Sequence, residues 1–213
     1  MLYKLLIFDF DGTIANTSPL IFASFNAVAQ KYLGKTFTPH EIVAMYGPTE
    51  DEIIAKLVTP TEYESATAEF YRVYAGKPDL VEQFAGLPEF LNQAKQQHRI
   101  LGIFTGKGRK TCLINLRELG YQDYFEYIYT GDDVEHRKPH PEALLKIMQT
   151  AKVAPEQTIY IGDSMSDIKC AKSAGITFGA AFWDPLADER ILKMEPDYIF
   201  KSISGLYSLL NHT

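Results

Sequence analysis

The apolar positions of this chain fall into short runs separated by longer amphipathic stretches. Runs at Tyr3–Phe8, Ile100–Phe104, Tyr127–Tyr129, Thr158–Ile161, Thr177–Ala181 and Asp197–Phe200 have the length and composition of buried strands. From Ile100 onward they alternate with helical patterns at about Arg109–Leu119, Pro141–Thr150, Asp167–Ala174 and Ser204–Leu210. This alternation predicts βαβ units, and so an α/β fold with a Rossmann-like parallel sheet flanked by helices. More than eighty residues separate the first two strand runs, and they carry helical rather than strand patterning. Ser18-Pro19 reads as an N-cap followed by Pro at the first helical position. Thr38-Pro39-His40-Glu41, Thr49-Glu50-Asp51-Glu52 and Thr59-Pro60-Thr61-Glu62 read as capping boxes. Three boxes in one insert predict several short helices. The expected organisation is a core of residues 1–14 and 85–213 carrying a helical cap of residues 15–84.

The first apolar run ends in Asp9-Phe10-Asp11-Gly12-Thr13. In a strand, residues i and i+2 share a face, so Asp9 and Asp11 would sit together where the strand leaves the core. Asp-Gly also signals a turn, which accounts for Asp11 and Gly12 but poorly for Asp9. Two acids at the edge of an apolar run repel one another and are partly desolvated, and a shared cation removes both penalties.

Composition narrows the partners. The chain has 213 residues, 46% hydrophobic, with a formal net charge of −6. Such a surface argues against nucleic acid or an anionic membrane, so an anionic substrate needs positive charge supplied locally by Lys, Arg or a metal. Cys112 and Cys170 form neither a disulfide framework nor a CxxC zinc pattern, and read as buried thiols in a reducing compartment. No apolar stretch is long enough to span a membrane, and the first eight residues are too short for a signal peptide. The expectation is a soluble, cytoplasmic protein, monomeric or homodimeric.

In open parallel sheets ligands gather at the carboxyl ends of the strands, so the residues after each strand matter most. Thr105-Gly106-Lys107-Gly108 comes after the second long run and offers a hydroxyl, backbone N–H groups and a cation to an anion, although a Gly-rich turn needs no ligand. Lys138 comes after the short run near Tyr127; taken alone, it has the ordinary reading of a solvated lysine. Gly162-Asp163-Ser164-Met165-Ser166-Asp167 comes after Thr158–Ile161, with an N-cap as the structural alternative for one of its two acids.

The order acid pair, hydroxyl, lysine, acid pair, each after a strand, resembles the haloacid dehalogenase-like (HAD) superfamily in its branch with a small helical cap. Asp9–Thr13 matches the first motif, Thr105 the second, Lys138 the third and Gly162–Asp167 the fourth. The resemblance implies Mg2+ held by Asp9, the Asp11 backbone carbonyl and Asp163, with Asp167 as an outer ligand. It implies Asp9 as the nucleophile forming an aspartyl-phosphate, and Asp11 as general acid then base. Thr105 and Lys138 would hold the non-transferred phosphoryl oxygens, with Gly12, Thr13, Gly106 and Lys107 as further substrate contacts. Dehalogenase members do without an acid at position 11, so Asp11 favours Mg-dependent hydrolysis of small phosphorylated metabolites. Pyrophosphatase and sugar-phosphate mutase are the family alternatives, and a catalytically silent binding module is the alternative of another class. Tyr46-Gly47-Pro48-Thr49-Glu50 resembles the cap loop that dips toward the active site. Mutases usually carry Arg near position 50, and Glu50 would repel a second phosphate. The branch often has Asp at Asn16 and Asn at Gly106. Arg72 and Lys77 could face an anionic leaving group but read first as solvated surface.

Overall fold

The computed structural model describes residues 3–210. A six-stranded parallel sheet forms its centre. The strands, with two short ones outside the sheet, are β1 (Leu5–Phe8), β2 (Ala15–Asn16), β3 (Glu82–Gln83), β4 (Ile100–Phe104), β5 (Tyr127–Tyr129), β6 (Thr158–Gly162), β7 (Thr177–Ala181) and β8 (Tyr198–Phe200). The order across the sheet is β5-β4-β1-β6-β7-β8. β1 is central, with Phe8 in register with Ile103 on one side and Ile161 on the other.

The period-two alternation of β1 divides its four buried residues between two cores. Leu6 and Phe8 enter the cluster containing Phe90, Leu91 and Leu206; Leu5 and Ile7 enter the one containing Leu144, Ile147 and Ile168. Helices therefore cover both faces, which is why β1 reads as an unbroken apolar run. The helices are α1 (Ser18–Val28), α2 (Pro39–Val43), α3 (Glu50–Leu57), α4 (Tyr63–Gly76), α5 (Leu87–Gln96), α6 (Arg109–Glu118), α7 (Glu142–Ala151) and α8 (Met165–Ala174). α1–α4 share a third cluster, with Ile21, Phe25, Ile54, Phe70 and Tyr74 at its centre. β2 and β3 pair antiparallel at the two ends of this helical insert, Ala15 opposite Gln83.

Four local expectations are corrected. Ser204–Leu210 is not an α-helix: Ile203–Leu209 winds as a 3₁₀ segment. Its core-facing residues Ile203, Leu206 and Leu209 recur every three positions, the 3₁₀ period. Thr17, not Ser18, is the N-cap of α1. The Thr17 hydroxyl donates to Asp11, and Asn16 Oδ1 accepts from Ser18 N at 3.2 Å. Glu62 Oε2 accepts from Thr59 N at 3.0 Å and from the Thr59 hydroxyl at 2.6 Å, but Thr59 Oγ1 does not accept from Glu62 N, so only half a box forms, closing a turn before α4 starts at Tyr63. α8 starts at Met165 rather than Asp167, because Ser164 and Asp167 form the capping box that opens it. The Thr38–Glu41 box opens α2 as expected, and in the Thr49–Glu52 box Glu52 accepts from Thr49 N at 3.0 Å. Cys112 and Cys170 are buried and unpaired. Among the described residues, no helix is long and apolar enough to cross a membrane.

Candidate active site at the strand ends

β4, β1 and β6 lie side by side and end together, so Thr105, Asp9 and Asp163 emerge from adjacent strands. Lys138 arrives on the loop after β5. All four line one cavity of about 630 Å³ between the sheet and the helical insert.

Asp9 is buried, and its Oδ1 is held by the Lys138 ammonium alone, 2.9 Å away. Asp9, Asp163 and Asp167 each offer an oxygen, all within 4.8 Å of one another. Burial and then the Asp167 charge push Asp9 up to about 6, Lys138 partly offsetting them. Burial, with Asp9 and Asp167 next in weight, raises Asp163 well above the carboxylate range. One lysine does not neutralise three clustered acids. Burial alone would lower Lys138, but Asp167 and Asp9 outweigh it and hold the ammonium charged.

The three acids are not equivalent. Asp167 Oδ1 accepts from Lys138 Nζ at 2.7 Å and Tyr160 OH at 2.8 Å, while Oδ2 accepts from Ser164 N at 3.0 Å and Ser164 Oγ at 2.5 Å. Its acceptor positions are filled, whereas Asp9 Oδ1 meets only the Lys138 ammonium. Thr13 is fully buried behind the site, and its hydroxyl donates to Asp163 Oδ1 at 3.4 Å rather than reaching the cavity.

Gly12 has φ of +77°, and a Cβ there would collide with the Asp163 carboxylate. Gly12→Ala is therefore expected to displace Asp163 and lower activity about a hundredfold, with a loss of about 1–3 kcal/mol in stability. Steady-state assay and urea titration check both. Gly106 differs, since a Cβ there meets nothing within 4 Å, and its backbone faces the cavity.

Lys107 and Glu50 do not sit as free substrate groups. Lys107 Nζ, its side chain fully buried, lies 2.9 Å from Asp11 Oδ1 and 3.6 Å from Glu50 Oε1. Burial pulls Lys107 down, but Asp11, Tyr74 and Glu50 outweigh it and hold it well above the usual lysine range. Glu50 Oε2 accepts from Gly108 N at 2.7 Å and Oε1 from Thr111 Oγ1 at 2.7 Å. A carboxylate from the helical insert thus caps the N-terminus of α6, where its charge suits the helix dipole. Gly108 permits the approach, since a Cβ there would lie 2.6 Å from Glu50 Oε2. Arg137 makes a second link from sheet to insert, 2.5 Å from Glu52 Oε2.

Tyr46 lines the cavity, as its place in the cap-loop segment implied, while Arg137 and Asp184 line it without a site signal in the motifs above. Asp184 lies in the loop after β7, at the same carboxyl edge of the sheet as the other acids, and that position was the signal for it. It is 5% exposed, its Oδ2 has no hydrogen-bond partner, and burial raises its pKa. Arg72 lies outside the cavity, exposed and paired with Glu69 at 2.5 Å.

Comparison with known proteins identifies the family. The haloacid dehalogenase-like hydrolase family profile matches residues 6–181. Pyrophosphatase PpaX of Bacillus mycoides is 30% identical over 206 residues, which cover 97% of this chain and 96% of that protein. A solved structure from Lactobacillus plantarum, described as a phosphoglycolate phosphatase, shares 28% identity with a TM-score of 0.79, covering 98% of this chain and 100% of that one. Another from Thermotoga maritima, described as a beta-phosphoglucomutase, shares 27% identity with a TM-score of 0.78, covering 99% and 100%. With a profile spanning most of its length and relatives aligned from end to end, the chain belongs to the haloacid dehalogenase-like hydrolase family.

Proposed function

We propose that the protein is a metal-dependent phosphatase of small phosphorylated metabolites, working through an aspartyl-phosphate on Asp9. The observation that carries this reading is the close approach of three carboxylates, Asp9, Asp163 and Asp167, within 4.8 Å of one another beside the Lys138 ammonium, with Asp9 and Asp163 lining the cavity. The donor set of carboxylates fits a hard divalent cation, Mg2+ in this family, held by Asp9 and Asp163 with the Asp11 backbone carbonyl. When bound, the metal neutralises carboxylate and phosphate charge and so permits an anionic nucleophile to approach.

Within the protein, Asp9 attacks phosphorus and Lys138 keeps its carboxylate ionised and in line. Thr105 and the backbone N–H of Gly106 donate to the non-transferred oxygens. Asp11, at the end of the same segment, gives a proton to the leaving oxygen and later takes one from the attacking water. Asp167 positions Lys138, and Thr13 positions Asp163. The Glu50 and Arg137 links hold the helical insert over the site, and such closure excludes water and bulky substrates. Buried, unpaired cysteines suit a reducing compartment such as the cytoplasm. Pyrophosphate hydrolysis is the second reading, favoured by the name of the Bacillus mycoides relative.

The test is turnover of phosphomonoesters with Mg2+ and with EDTA. Chelation is expected to abolish the rate and Mg2+ to restore it; no metal-dependent rate on any phosphate would favour a silent binding module. Stability offers a check independent of turnover. Folded Asp9 titrates at about 6 against an ordinary 3.8, so the folded state binds the proton more tightly than the unfolded one. Raising pH from about 4 to about 6 therefore removes stability, by about 3 kcal/mol from this group, and Asp163 acts in the same direction. Mg2+ relieves the repulsion and is expected to raise Tm more at pH 7.5 than at pH 5; the reverse order in thermal scans would contradict the assignment.

A further inference from the structure

We infer that the cavity accepts phosphomonoesters whose leaving group is an uncharged alcohol with an apolar body. This deepens the phosphatase reading and rests on it. At about 630 Å³ the cavity exceeds what a transferred phosphoryl group or inorganic pyrophosphate fills. Its lining includes Ile21, Phe25, Val43, Tyr46 and Ile53 from the insert and Leu186 from the loop after β7. Val43, Tyr46 and Leu186, exposed by 44%, 44% and 59%, are three of seven large apolar side chains left exposed among the described residues. Their gathering around one opening marks apolar surface left for a ligand to cover.

Charge points the same way. The cations of the cavity are Lys107, Arg137, Lys138 and Arg190. Each is already paired: Lys107 with Asp11 at 2.9 Å, Arg137 with Glu52 at 2.5 Å, Lys138 with Asp9 at 2.9 Å and Asp167 at 2.7 Å, and Arg190 with Asp188 at 2.7 Å. Carboxylates outnumber cations along the wall, and Asp184 keeps a buried oxygen without a donor. A leaving group bearing its own carboxylate or second phosphate would enter beside acids with no cation released to meet it. An apolar alcohol would instead remove the exposed side chains from water. The chemistry is ester hydrolysis. The P–O bond to the alcohol breaks, the alcohol oxygen takes the proton from Asp11, and water supplies the oxygen that leaves with phosphate.

The experiment measures kcat/KM with Mg2+ for methyl phosphate, n-hexyl phosphate, phosphoglycolate, pyrophosphate and 4-nitrophenyl phosphate. The two alkyl esters have leaving groups of similar basicity and differ in apolar length. n-Hexyl phosphate is expected to exceed methyl phosphate by about tenfold or more, and to exceed phosphoglycolate and pyrophosphate. Val43→Asp and Leu186→Asp, both at exposed positions that leave folding intact, are expected to cut the hexyl-to-methyl ratio by about fivefold. The inference is overturned if chain length has no effect, if both variants leave the ratio unchanged, or if an anionic substrate outpaces n-hexyl phosphate while 4-nitrophenyl phosphate is still hydrolysed. Absence of metal-dependent turnover of 4-nitrophenyl phosphate itself would remove the phosphatase reading, and this inference with it.

Discussion

Asp9→Asn is expected to lower turnover of an aryl phosphate by about 10⁴-fold or more, because the amide cannot form the aspartyl-phosphate. The same change should stabilise the metal-free protein near pH 7.5. Asp9 is buried among Asp163 and Asp167 and titrates at about 6, so removing its charge relieves up to about 3 kcal/mol of repulsion and desolvation. Loss of activity with a gain in stability separates a chemical role from a structural one. Assay of 4-nitrophenyl phosphate and urea titration without metal measure the two halves. A wild-type rate in the variant would rule out the covalent route, and a destabilised variant would rule out the electrostatic account of the cluster.

Lys107→Met should cost about 3–5 kcal/mol, because it leaves Asp11 and Glu50 facing each other without a cation. The Lys107 side chain is fully buried, so solvent cannot replace the missing charge. Glu50→Gln removes one of the stranded acids and is expected to recover part of the loss, so the double variant should cost less than the two single changes added. Urea titration of the four proteins gives the coupling. A cost below about 1 kcal/mol for Lys107→Met would sink the idea that this lysine ties the helical insert to the sheet.

Lys107 and Glu50 also mark where local pattern stops informing. In the sequence both read as substrate contacts, since a lysine in a Gly-rich turn suits an anion and an acid on a cap loop suits discrimination. Their pairing depends on how α3 docks against the N-terminus of α6, which joins residues fifty-eight positions apart, and no local pattern encodes that. Thr13 misleads for a similar reason: whether its hydroxyl faces the cavity or Asp163 depends on how the β1 and β6 ends abut. Arg137 carries only a surface signal until the insert meets the sheet.

The sheet and its acid-bearing strand ends are readable because they obey short-range rules. An apolar run of strand length fits a parallel sheet covered on both faces, and an acid closing such a run is costly unless it meets a cation. Asp9, Asp11 and Asp163 break that pattern visibly. Tertiary packing alone decided which acid is filled with hydrogen bonds and which meets little beyond the Lys138 charge. Asp163 and Asp167 stand four residues apart in one motif, yet Asp167 takes four hydrogen bonds from Lys138, Tyr160 and Ser164 while Asp163 takes one, from Thr13. Packing also decided how three of the cavity's four cations are engaged, since the pairs of Lys107, Arg137 and Lys138 join segments distant in the chain, whereas Arg190 pairs locally with Asp188.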